Sequence, residues 1–128
     1  MQTCITRDIK VSVEVFYQPF QSQPNAERFI FSYRIHIENL GRETVQLQRR
    51  HWFISDSDGA HREAEGPGVV GQTPMLQPGE SHSYESWCPL RTEIGKMGGF
   101  FTMMNLKTKQ TFAVKVPYFN MIAPFKEN

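Results

Sequence analysis

Phe29-Ile30-Phe31-Ser32-Tyr33-Arg34-Ile35-His36-Ile37-Glu38 is the stretch that decides the fold. Phe29, Phe31, Tyr33, Ile35 and Ile37 occupy every second place, with Ile30, Ser32, Arg34, His36 and Glu38 between them. A period of two is that of a strand with one face in a core and the other in water. The run stops at Asn39-Leu40-Gly41. Upstream, Ile9, Val11, Val13 and Val15 alternate with Lys10, Ser12 and Glu14, which predicts a second strand. Downstream, residues 45–54 read as a third, ending at Asp56-Ser57-Asp58-Gly59. The Asp-Gly pair tolerates positive φ and predicts a tight hairpin back into residues 61–65.

Further on, residues 81–87 restore strand character, and residues 100–106 and 111–116 predict a last hairpin around Lys107-Thr108-Lys109. No ten-residue stretch combines helical spacing with caps. Seven or eight short strands at this spacing predict an all-β, immunoglobulin-like antiparallel sandwich. The chain lacks the Cys…Trp…Cys framework of antibody domains, so aromatic packing has to hold the sheets together. Its 128 residues suit one domain over 1–128, with a core over about 8–119 and an apolar tail over 118–128. That tail either completes its own sheet or pairs with a neighbour, which leaves a homodimer open.

Composition narrows the function classes. Fourteen Lys and Arg against thirteen Asp and Glu give a net charge of +1, which argues against a nucleic-acid partner. Lys96, Lys107, Lys109, Lys115 and Lys126 fall in an acid-free stretch, and edge lysines of this kind blunt strand-to-strand aggregation. No apolar run approaches the roughly 20 residues of a membrane span, so no membrane insertion is expected. Residues 1–8 lack the basic-then-apolar order of a signal peptide, which points to the cytoplasm. Cys4 and Cys88 are then expected to be free thiols.

Three constellations could carry binding chemistry. Gly66-Pro67-Gly68-Val69-Val70-Gly71 matches G-x-G-x-x-G, but Pro74 and Pro78 follow where a dinucleotide fold needs a helix. Two readings remain for it: a structural loop, or a nest for a phosphate-containing small molecule beside Arg49 and Arg50. Arg49-Arg50-His51-Trp52 is the second, with Arg50 and Trp52 on one face of a strand and Arg49 and His51 on the other. Arg and Trp are favoured at binding hot spots. Trp52 itself reads as core. The histidines His36, His51, His61 and His82 form the third. Zinc or Co2+ could use such imidazoles with carboxylates such as Asp56, Asp58 or Glu63, and His51, His61 and His82 are the candidates for direct association, although none has the spacing of a known metal signature. Catalysis finds little support, because no dense acidic cluster is present to hold a hydrolytic metal.

Taken together, Arg49-Arg50-His51-Trp52, the Gly66–Gly71 motif, Leu76-Gln77-Pro78-Gly79-Glu80 and Val116-Pro117-Tyr118-Phe119 resemble the bacterial ApaG family over nearly the whole chain. The resemblance implies a fibronectin type III-like sandwich. It also implies a link to cobalt resistance and magnesium efflux, and kinship with interaction domains of F-box and polymerase-delta-interacting proteins. Two positions depart from the family pattern. Trp87 stands where a small residue is expected, and Lys107-Thr108-Lys109 replaces acids and Gly. The expected function is therefore a non-catalytic module binding a protein partner through Arg49, Arg50, Gly66, Gly68, Gly71 and Trp87. The alternative is a binder of pyrophosphate-containing nucleotides at the same loop.

Overall fold

The computed structural model describes residues 1–124; the end of the apolar tail, residues 125–128, lies outside them. Nine strands follow in chain order: β1 (Gln2–Thr6), β2 (Ile9–Tyr17), β3 (Phe29–Asn39), β4 (Val45–Asp56), β5 (His61–Pro67), β6 (Met75–Leu76), β7 (Ser81–Leu90), β8 (Ile94–Asn105) and β9 (Thr111–Ile122). One 3-10 turn, Pro24–Ala26, interrupts the β2–β3 connection. The strands form an antiparallel sandwich, as the alternation predicts. One sheet has the order β1-β2-β3-β7; the other runs β5-β4-β8-β9, with β6 beside the start of β4.

Inward residues of both sheets meet in one apolar layer. Val11, Val13, Phe31, Ile35 and Ile37 come from the first sheet, and Leu47, Met97, Phe101, Met103, Val114 and Met121 from the second. Trp52 sits at the middle of an aromatic group. Its ring lies edge-on to Tyr33 at 5.4 Å, Phe101 at 6.1 Å and Phe119 at 6.4 Å. Edge-to-face pairs add about 0.5–1.5 kcal/mol each beyond the area they bury. Aromatic contact across the layer thus does the work a disulfide does in antibody domains.

β4 departs from simple alternation. Val45 and Leu47 point inward, yet so do Arg50, Trp52 and Ile54. The change of phase comes from a bulge opposite β8: Leu47 pairs with Met103 and Arg49 with Thr102, leaving Gln48 as the extra residue. A bulge re-aims the side chains that follow it. Without it Arg49 and His51 would face the core.

The two-residue β6 and two further elements escape the sequence reading. β1 has only one half-buried apolar residue, Cys4, and shows no hydrophobic alternation. It is held as an edge strand by its pairing with β2, from Gln2↔Val13 to Thr6↔Ile9. β8 begins at Ile94, earlier than expected, because Gly95, Gly98 and Gly99 dilute its signal. The backbone approach there is close: a Cβ on Gly99 would lie 1.9 Å from the His51 carbonyl oxygen. The apolar tail is the continuation of β9, with Met97↔Phe119 and Ile94↔Ile122 paired and Phe119, Met121 and Ala123 buried.

Two measurements check this packing. Phe101 is 1% exposed, and Phe101→Ala should cost roughly 3–5 kcal/mol in urea unfolding. Burial also raises the ionisation of Tyr33, Tyr84 and the Cys88 thiol above their ordinary values. The folded chain then holds protons that the unfolded chain releases. Stability should be complete below the thiol's ordinary 9.0 and fall as pH rises through the tyrosines' 10.0 and beyond.

Candidate functional site

The loop after β5 is assembled around one arginine. Arg50 points between the sheets, and its Nη1 donates to the carbonyl oxygens of Pro67 at 2.9 Å and Gly68 at 3.0 Å. Gly66 pairs with Arg50 across the β4–β5 ladder, and a Cβ there would press on the guanidinium at 3.1 Å. The Gly68 N–H donates to the carbonyl of Gln48, the bulge residue, at 2.8 Å. The bulge and the loop are therefore one unit: the bulge turns Arg50 inward and takes the first hydrogen bond of the turn.

The loop tip is a tight hairpin. Val69 N–H donates to Gln72 O at 2.8 Å and Gln72 N–H returns to Val69 O at 3.0 Å. Between them Val70 (φ +48°) and Gly71 (φ +75°) are both left-handed, the arrangement of a type I′ turn. Val69 is buried and anchors the turn, whereas Val70 is 62% exposed at its apex. A β-branched residue with positive φ is a genuine outlier, costing about 1–2 kcal/mol. Gly68 is also left-handed (φ +63°), and a Cβ on it would lie 2.3 Å from the Gln72 carbonyl.

The anion-nest reading draws little from this geometry. Pro67 has no N–H, and those of Gly68 and Val69 are already bonded within the protein. The carbonyls of Pro67 and Gly68 are the groups turned toward Arg50. A phosphate cradle needs the opposite orientation, with several N–H groups converging outward.

The remaining sequence candidates separate. Arg49 is exposed on the outer face of its sheet, opposite Arg50. His51 shares that face, stacked between Phe53 at 4.6 Å and Phe100 at 5.0 Å. Its Nε2 lies 3.1 Å from Glu63 and its Nδ1 3.0 Å from Glu65. The β4–β5 register pairs His61 with Ser55, whose hydroxyl meets His61 Nδ1 at 2.8 Å. His82 belongs to the other sheet, and its Nε2 is buried. The three histidines do not converge, and no group of three or more His, Cys, Asp or Glu among the described residues could hold a metal ion. Trp87 also stands apart, on β7 opposite Ser32. No helix among the described residues is long and apolar enough to cross a membrane.

The ApaG domain family matches residues 19–105, from the β2–β3 connection to the end of β8. The chain belongs to the ApaG family. Protein ApaG of Rhodospirillum centenum is 44% identical over 124 residues, 97% of this chain and 95% of that protein. Protein ApaG of Brucella anthropi is 45% identical with the same coverage. Among solved structures, the ApaA protein of Bordetella pertussis superposes with a TM-score of 0.88 at 39% identity, covering 91% of this chain and 94% of that one. The matched residues include β3 to β8 and the 66–71 loop.

Two glycine substitutions test the account of the loop. Gly71→Ala meets open space, so it should cost only the left-handed backbone, about 1–2 kcal/mol. Gly68→Ala must also displace the Gln72 carbonyl and should cost clearly more. Urea midpoints of the two variants, compared side by side, give the order.

Proposed function

We propose that this ApaG-family chain is a binding module that recognises a protein partner through the 66–71 loop and does no chemistry of its own. The observation that carries the reading is Val70. An apolar, β-branched side chain is held in a left-handed conformation and left exposed at the apex of a loop whose other supports are internal. Backbone strain that the surroundings over-determine marks positions kept for function. Arg49, exposed on the adjoining strand, supplies a directional cationic contact beside that apolar tip.

On this reading the family's association with cobalt resistance and magnesium efflux runs through the partner. Direct chelation draws less support, because His51, His61 and His82 do not converge and no group of three or more His, Cys, Asp or Glu among the described residues could hold a metal ion. Recognition of a pyrophosphate-containing nucleotide at the loop is weakened by the same carbonyl orientation that engages Arg50.

Val70→Asn separates display from folding, since Asn tolerates the left-handed region that Val does not. The variant should gain up to about 1 kcal/mol of stability while losing the partner in affinity capture from the source cell. Arg49→Ala should weaken capture with an unchanged urea midpoint. Full partner recovery by both variants would remove the loop from the proposal.

A further inference from the structure

A groove crosses the edge where β7 and the start of β3 approach the hairpin of β4 and β5. Its apolar half is a hollow of 710 Å³ against Phe20, Trp87, Ile30 and Pro89, with Gln21 and Gln23 at the rim. Its other half, 390 Å³, continues past Arg28 to Arg62 and Arg91. Gln23, Arg28 and Pro89 line both, so the two are one continuous trough. This site lies at the end of β5 opposite the 66–71 loop.

Both halves are built for contact. Phe20 is 97% exposed and Trp87 54% exposed, and an aromatic pair left in water beside a concavity marks a recognition surface. Trp and Arg are also the residue types that dominate interface energetics. The charge is one-sided: three arginines face a single acid, Glu27. Arg62 is fixed in place, its Nη2 donating to the Pro89 carbonyl and to Cys88 Sγ. Among the described residues neither Arg28 nor Arg91 makes an ion pair. β7 is also the outermost strand of its sheet, so an extended chain here meets backbone groups without a strand beyond them.

We propose that this groove receives an acidic linear segment of a protein partner. An apolar side chain of the segment rests against Phe20 and Trp87, and its carboxylates reach the guanidinium groups of Arg28 and Arg91. Carboxylate–guanidinium pairs are charge-assisted and can be bidentate, which gives direction to an otherwise greasy contact. The site goes beyond the loop reading and does not depend on it.

The test uses the full chain and short synthetic peptides, each carrying one Leu, Phe or Trp next to a run of Asp and Glu. Trp87 fluorescence and peptide anisotropy report binding. Acidic peptides should bind with an affinity that falls as salt rises; versions with Lys for the acids, or Ala for the apolar anchor, should not. Trp87→Ala and the double variant Arg28→Glu/Arg91→Glu should each weaken binding by about tenfold or more, with circular dichroism unchanged. Val70→Asn should leave peptide affinity intact, which separates this site from the loop. Absence of binding by every acidic peptide would overturn the proposal. So would indifference to the groove variants, or displacement by ATP at equal concentration, which would assign the groove to nucleotides.

Discussion

One extra residue in β4 governs the arrangement of this sandwich. Gln48 bulges out of the ladder with β8, and the phase of every later side chain in the strand follows from it. Downstream of the bulge, Trp52 enters the core and Arg50 enters the gap between the sheets. Upstream, Val45 and Leu47 are already inside. A strict alternation would have exposed Trp52 and buried Arg49, giving up a large aromatic contact area to enclose an unpaired charge. The bulge resolves the conflict locally and lets the loop after β5 dock on its carbonyl.

The buried aromatic group and the braced loop are consequences of that single adjustment. Trp52 touches Tyr33 from the opposite sheet and Phe101 and Phe119 from its own, so it ties the two layers at their centre. Arg50, two residues earlier on the same face, donates to the carbonyls of Pro67 and Gly68 and so ties the loop to β4. An arginine in such a position is a scaffold element; its neighbour Arg49, on the wet face, is the one able to meet another molecule. Adjacent identical residues thus have opposite surroundings, set by the phase of the strand.

The alternation of Phe29–Asn39 made the fold legible, because a period of two with one apolar face has few structural solutions. The strands from Ile9 and Thr111 were legible for the same reason. β1 was not, since an edge strand lying on a partner needs little apolar content of its own. The first half of β8 was hidden by glycines that are required by the close approach of the His51 backbone. Of the candidate site, the sequence puts the glycine loop beside Arg49 and Arg50, and the structure joins it to Arg50 through the Pro67 and Gly68 carbonyls, a hydrogen-bond sense that no sequence pattern encodes. The sequence reading groups Trp87 with that loop; the structure places it on β7 opposite Ser32, in the hollow lined also by Phe20 and Arg28. Those two residues sit in a stretch without periodicity, where the sequence offers no phase to reason from.

Cys88 lies under the arginine-lined end of the trough, 2% exposed, with its thiol kept protonated by burial against the opposing pull of Arg62. Only a thiolate with access to solvent reacts readily. The sulfur is therefore chemically silent while β7 and β5 stay together and becomes reactive when they part. Nature has left a stopwatch at the seam of the molecule: the speed at which an alkylating reagent consumes Cys88 counts how often that seam breathes.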